Sequence, residues 1–73
     1  MTTEEIQRLH TALLTKIPDI QIQIDSDRVL LISTKFFLEI EDGIVSMSVL
    51  TSPVIEFPYI NIDDTIESAL KYL

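Results

Sequence analysis

Cysteine is absent from this 73-residue sequence, and histidine and glycine each occur once. Without cysteine there is neither a disulfide framework nor a thiolate nucleophile, and one histidine cannot complete a structural zinc site. A single glycine also excludes a glycine-rich phosphate-binding loop. We therefore expect this chain to bind no metal ion and no cofactor.

Basic residues are scarce: five lysines and arginines stand against twelve acids, which gives a net charge of −7. Nucleic acids and anionic membranes bind clusters of lysine and arginine, so we expect neither as a direct partner. The sequence has no basic-plus-apolar N-terminal segment and no apolar run near the ~20 residues that span a bilayer. We predict a cytoplasmic protein with one small domain over residues 1–73.

The sequence is nevertheless rich in aliphatic side chains, with 47% hydrophobic residues. A domain of this length buries only ~60% of the surface that its unfolded chain exposes. Part of the aliphatic surface should therefore stay accessible to a partner, and a homo-oligomer would cover it.

The pair Asp42-Gly43, between two strand-like runs, is typical of a two-residue type I′ turn. Such a turn places Glu41 opposite Ile44, and the register then divides the hairpin into two faces. One face holds Phe36, Leu38, Ile40, Val45, Met47 and Val49, and the other holds Phe37, Glu39, Glu41, Ile44, Ser46 and Ser48.

Two segments have helical periodicity. Thr2 followed by Glu5 is a capping-box pattern, and an apolar stripe follows it until Pro18 ends the helix. A shorter C-terminal helix begins after a cap at Asn61 or Asp63. The apolar stripes are Ile6, Leu9, Leu13, Leu14 and Ile17 in the first helix, and Ile62, Ile66, Ala69, Leu70 and Leu73 in the second.

Strand patterns fill most of the remaining chain. Residues 20–24 alternate isoleucine with glutamine, which predicts a strand with one buried face, and residues 25–27 favour a turn. Residues 29–41 form either two strands with a turn near residues 33–35 or one long bent strand. We favour the single strand, because a turn there would lack glycine, asparagine and proline. That choice directs Leu30, Ile32, Thr34, Phe36, Leu38 and Ile40 toward the core.

Prolines 53 and 58 bracket an apolar segment, the 53–60 arm, which is an extended arm or an edge strand because proline cannot donate to a central ladder. These patterns together predict an α+β fold. It comprises an N-terminal helix, an antiparallel meander of three to four strands containing the Asp42-Gly43 hairpin, and a short C-terminal helix. Both helices are expected on one face of the sheet.

No group of side chains indicates catalysis. His10 lies within the apolar stripe of the first helix, where we expect a packed or interfacial histidine rather than a general base. Asp25 and Asp27 lack the further oxygen ligands of a calcium loop, and Glu39 and Glu41 lie on the open side of the hairpin. We predict that the protein is not an enzyme and has no catalytic, cofactor-binding or metal-binding residue.

Two classes of function remain. The first is a protein-interaction module, expected to be a homo-oligomer, that uses its open sheet face, its strand edges or the 53–60 arm. The second is an acidic inhibitor that fills a basic, nucleic-acid-binding groove on a target protein, because carboxylates at i and i+2 of a strand lie ~7 Å apart, close to phosphate spacing. The predicted interaction residues are Phe37, Glu39, Glu41, Ile44, Ile55, Phe57 and Tyr59.

In size and charge the chain resembles small phage-encoded counter-defence proteins and small acidic secretion chaperones. The first likeness implies an inhibitor, and the second implies a small binding protein. Neither likeness extends to a shared sequence motif, so both are analogies of character.

Overall fold

Two helices and five strands follow one another along residues 1–50 and 52–73, which are the residues that the computed structural model describes. The order is α1 (Thr3–Leu14), β1 (Gln21–Asp25), β2 (Arg28–Ile32), β3 (Phe36–Glu41), β4 (Ile44–Val49), β5 (Ile55–Pro58) and α2 (Ile62–Tyr72). The strands form an antiparallel sheet in the order β1-β2-β3-β4-β5. The predicted α+β class is confirmed, but the sheet has five strands rather than three to four.

The β3–β4 hairpin has the register that the Asp42-Gly43 pair predicts. Asp42 and Gly43 have φ angles of 53° and 74°, the two left-handed residues of a type I′ turn. Glu41 lies opposite Ile44, and the ladder continues through both strands. On the predicted core face, Val49 is partly buried and the others are buried: Phe36, Leu38, Ile40, Val45 and Met47.

Residues 29–41 form parts of two strands, so the single bent strand that we favoured is wrong. The Ser33 N–H donates to the Phe36 carbonyl at 2.9 Å, and the Ser33 hydroxyl accepts from the Lys35 N–H at 3.2 Å. Residues 33–35, all described, have no positive φ, so this turn requires neither glycine nor asparagine. Because of this turn, the residues of β2 that face the core are not those that a continuous strand would place there.

The turn exchanges the faces of β2. Val29 and Leu31 are buried and lie opposite the buried residues of β3, whereas Leu30 and Ile32 share the other face with Phe37. Our expectation that Leu30 and Ile32 lie in the core is therefore wrong, and Thr34 is exposed in the turn.

Both helices begin at side-chain caps. The Thr2 hydroxyl accepts from the Glu5 N–H at 3.1 Å, and the Thr2 N–H donates to the Glu5 carboxylate at 2.8 Å, which confirms the capping box. For α2, the cap is Asn61, whose side-chain oxygen accepts from the Asp64 N–H at 2.8 Å. Helix α1 ends at Leu14, before the predicted stop at Pro18.

One hydrophobic core joins both helices to one face of the sheet, which we call the inner face. Leu9 and Leu13 of α1 and Ala69 of α2 pack there with the buried residues of β2, β3 and β4. Thr65 is also fully buried, and its hydroxyl donates to the Asn61 carbonyl at 3.1 Å. Over the described residues, no helix is long and apolar enough to cross a membrane.

Three residues that the periodicity assigned to buried stripes are instead exposed: Leu14, Ile24 and Leu73. Leu14 is the last residue of α1, and Leu73 follows the end of α2. Ile24 lies in the edge strand β1 and is 63% exposed. Each lies at the end of an element or at the border of the sheet, where few neighbours can cover it.

Substitution of Gly43 tests the hairpin turn. A Cβ at this position would meet no atom within 4 Å, so the cost comes from the left-handed backbone. We expect Gly43→Ala to lower the free energy of unfolding by about 1–2 kcal/mol, and Gly43→Asn to lower it less, because asparagine tolerates this conformation. Urea denaturation measures both. Equal losses for the two variants would contradict this explanation.

The capping box of α1 should make stability depend on pH. The hydrogen bond from the Thr2 N–H holds the pKa of Glu5 below its ordinary value of 4.5. A carboxyl with a lowered folded-state pKa stabilises the fold above its unfolded pKa, and this contribution is lost as the pH falls through the lowered value. Urea unfolding should therefore separate wild type from Glu5→Gln more at about pH 7 than at about pH 3. A difference that is the same at both pH values would contradict the assignment.

Candidate interaction surface

The side of the sheet opposite the helices, which we call the outer face, is covered by no helix of the described chain. The segment after β4 reaches it at Ser48, whose hydroxyl donates to the Ser52 carbonyl at 3.0 Å. The side chains of the outer face follow from the strand register and form three rows across the sheet. The first row is Gln21, Ile32, Phe37 and Ser48; the second is Gln23, Leu30, Glu39, Ser46 and Glu56; the third is Asp25, Arg28, Glu41, Ile44 and Pro58.

Three apolar side chains form a continuous group on this face, the apolar patch, which comprises Leu30, Ile32 and Phe37. Ile32 and Phe37 are directly opposite each other on β2 and β3, and Leu30 lies two residues from Ile32 on the same face. Leu30 and Phe37 are half-buried by their neighbours, and Ile32 is 38% exposed. Ile44 is a separate exposed side chain opposite Glu41.

Arg28 is held by two carboxylates beside the apolar patch. Its guanidinium lies 3.2 Å from a Glu39 oxygen and 3.7 Å from an Asp25 oxygen. The Glu39 side chain is the more enclosed partner, at 23% exposure, whereas Asp25 is 74% exposed. Pairs this accessible contribute little to stability. Arg28 is the one base on the described part of the outer face, and these two ion pairs leave it already paired.

Acids outnumber bases on the outer face and in the turns at one of its ends. The outer face and the two turns at one of its ends hold six of the twelve carboxylates and one of the five bases. Their formal charge is −5, out of −7 for the whole chain. Lys35 lies in the turn at the opposite end. The six acids are Asp25, Asp27, Glu39, Glu41, Asp42 and Glu56.

The predicted interaction residues divide between the two sides of the sheet. Phe37, Glu39, Glu41 and Ile44 lie together on the outer face. Ile55 is half-buried on the inner face of β5, and Phe57 and Tyr59 pack against the core. Burial, with a contribution from the charge of Glu5, raises the pKa of the Tyr59 hydroxyl above its ordinary value of 10.0. The 53–60 arm is an edge strand in this structure, and its aromatic side chains face away from the outer face.

Leu30 and Ile32 are the members of this surface that the sequence analysis missed. Residues 29–32 are all aliphatic, so no polar residue marks which of them face outward. The available signal was Ser33, because a serine hydroxyl can bond the backbone two residues ahead and close a turn there.

The remaining candidate residues have structural roles. His10 is half-buried, and its Nε2 lies 3.3 Å from the Ile20 carbonyl. Asp25 ends β1, and its carboxylate accepts from the Ser26 N–H at 3.2 Å in the following turn. Residues 1–50 and 52–73 contain no group of three or more histidine, aspartate and glutamate side chains placed to hold a metal ion.

The outer face can therefore offer an apolar contact and, beside it, carboxylates that attract positive charge. Comparisons with protein-family models, with curated proteins and with solved structures found no match for this chain.

Proposed function

We propose that the protein is a non-enzymatic interaction module whose outer face binds a basic surface of a partner protein. The observation that supports this proposal is the position of the charge. The outer face, which no described helix covers, holds four acids and one base and has a formal charge of −3. With the two turns at one of its ends the charge is −5, out of −7 for the whole chain.

The apolar patch and the acids have different tasks in such a complex. Leu30, Ile32 and Phe37 can be desolvated by an apolar group of the partner, and buried side chains at the centre of an interface supply most of the affinity. The surrounding carboxylates accelerate encounter with a basic surface and select against acidic proteins. The partner is thus expected to present lysines or arginines around an apolar side chain.

The same charge opposes self-association through the outer face. Two copies meeting face to face would bring two surfaces of formal charge −3 together, and Arg28 is already paired with Glu39 and Asp25. Like-charge contacts across an interface cost several kcal/mol. A basic partner gains from the same carboxylates, so we assign the outer face to a second protein rather than to a second copy.

An acidic inhibitor of a nucleic-acid-binding protein is the second candidate function. Its specific support is the spacing of the carboxylates: Glu39 and Glu41 are two residues apart on β3, hence ~7 Å, and Glu56 lies two strands from Glu39, hence ~10 Å. Such an array can occupy phosphate-binding positions in a basic groove. In that case, DNA or RNA should compete with this protein for its partner.

Charge reversal on the two sides of the molecule tests the proposal. Glu41→Lys with Glu56→Lys changes the outer face, and Glu4→Lys with Glu67→Lys makes the same change in net charge, from −7 to −3, on the helices. Bait proteins carrying each pair are compared with wild type in capture from host lysate. We expect wild type and the helix variant to retain the same basic proteins and the outer-face variant to lose them, with capture weakening as salt rises.

Loss of the same proteins from both variants would show an effect of net charge and contradict a specific face. Retention of them by the outer-face variant would contradict the proposal outright. Circular dichroism and urea unfolding of each variant confirm that the fold is intact.

Truncation of the apolar patch should weaken binding without removing its salt dependence. For a purified partner, we expect Phe37→Ala to cost about 2 kcal/mol, or about thirtyfold in Kd, because the side chain lies within the proposed contact. Ile60→Ala is the matched control, since Ile60 is 68% exposed and lies outside the outer face. Titration calorimetry at two salt concentrations measures both. An unchanged Kd for Phe37→Ala, with DNA displacing the partner, would favour the groove-filling inhibitor instead.

A further inference from the structure

Strand β1 lies at one edge of the sheet, so half of its backbone groups face away from β2. The hydrogen bond from the Ser33 N–H to the Phe36 carbonyl fixes which half. It directs the backbone groups of residues 29 and 31 toward β3 and those of residues 28, 30 and 32 toward β1. The ladder partners of the latter are residues 25, 23 and 21. The N–H and carbonyl groups of Ile22 and Ile24 therefore face the open edge.

Just before β1 begins, the backbone groups of Ile20 already have partners within the chain. The Ile20 N–H donates to the Ile17 carbonyl at 3.2 Å, and the Ile20 carbonyl lies 3.3 Å from Nε2 of His10. In the described strand, the groups that face the open edge are therefore two donors and two acceptors, on Ile22 and Ile24.

Antiparallel pairing of two β1 strands about Gln23 would satisfy all four groups in both copies. In this register, Ile22 of one copy stands opposite Ile24 of the other, and each of the two such pairs exchanges two N–H···O=C bonds. Gln23 meets its own equivalent on the two-fold axis, in a non-hydrogen-bonded pair, where opposing side chains approach most closely.

The side chains fit the same register. On the inner face, Ile22 of one copy would lie beside Ile24 of the other, which is 63% exposed in the single chain. On the outer face, Gln23 meets Gln23, and the Gln21 amide can donate to the Asp25 carboxylate of the other copy. Within β1 (Gln21–Asp25), no like charges stand opposite each other, and apolar residues meet apolar residues.

The other edge of the sheet does not offer this match. The Tyr59 N–H donates to the Gly43 carbonyl at 2.8 Å, which directs the backbone of Glu56 and Pro58 toward the open edge of β5. Because proline has no N–H, the equivalent symmetric pairing about Phe57 would form two hydrogen bonds instead of four. Proline commonly protects an edge strand in this way, and β1 contains neither proline nor lysine.

We propose that the protein forms a two-fold dimer through β1, in the register centred on Gln23, which joins two five-stranded sheets into one sheet of ten. The dimer leaves both outer faces open and places them side by side. It is independent of the function proposed above, because it is measured without any partner, and either proposal can fail without the other.

Charge substitutions at two neighbouring glutamines give opposite expectations. Gln23→Lys and Gln23→Glu each place two like charges together on the two-fold axis and should raise the dimer dissociation constant about fivefold or more. Gln21→Lys introduces the same charge as Gln23→Lys but lies opposite Asp25 of the other copy, so it should strengthen the dimer. A one-residue shift of register would remove this contrast.

Sedimentation equilibrium measures these constants, with the wild-type mass expected to rise from 8.3 kDa toward twice that value between about 10 µM and about 1 mM, as for a small interface. An equimolar mixture of the Gln23→Lys and Gln23→Glu variants should regain the dimer, because opposite charges then meet on the axis. A wild-type chain that stays monomeric throughout overturns the proposal. So does a dimer in which Gln23 and Gln21 variants respond alike.

Ile24→Pro supplies a stronger disruption. It removes an N–H that the register directs toward the open edge of β1, and proline is tolerated where its nitrogen faces the open side of an edge strand. We expect this variant to remain monomeric over the whole concentration range while its circular dichroism spectrum stays that of wild type. A folded Ile24→Pro variant that dimerises as wild type does would show that the copies meet through another surface, and would overturn the proposal.

Discussion

Both helices of this chain pack on the same face of the five-stranded sheet, and the open outer face follows from that arrangement. Helix α1 has 12 residues and α2 has 11, and both place their buried residues against the inner face. Because the strands alternate, the residues between the buried ones must stand on the other side. The chain therefore has an outer face that its own described helices leave open. The residues there contact solvent or a partner.

The composition of the outer face agrees with a binding role more closely than with solvation. A face that only meets water has no need for Leu30, Ile32 and Phe37 side by side, although single exposed apolar residues are ordinary. In the proposed complex, the carboxylates around them select a basic partner.

The two edges of the sheet differ in the backbone hydrogen-bonding groups that they expose. Pro58 removes a donor from the open side of β5, whereas β1 presents alternate donors and acceptors with neutral amides beside them. An unprotected edge is a template for pairing, and the two-fold symmetry of β1 about Gln23 is the basis of the proposed dimer. Dimerisation at this edge and partner binding on the outer face use different surfaces, so they are compatible in one molecule.

Local patterns in the sequence were sufficient for much of this architecture. The capping box at Thr2, the cap residue Asn61 and the Asp42-Gly43 turn are short-range features, because each depends on side chains that bond or strain the backbone within a few residues. They determined the start of α1, the β3–β4 register and the grouping of Phe37, Glu39, Glu41 and Ile44 on one face, and they limited the cap of α2 to Asn61 or Asp63.

Only the tertiary structure decided the orientation of β2 and the placement of the 53–60 arm. Val29, Leu30, Leu31 and Ile32 are all aliphatic, so their sequence is equally compatible with either face, and the choice depends on the turn at Ser33 and on pairing with β3. Phe57 and Tyr59 likewise pack against the core, because the pairing of β5 with β4 directs Phe57 to the inner face. Residues that are separated along the chain settle such choices together, because burial is a property of the assembled core rather than of any one segment.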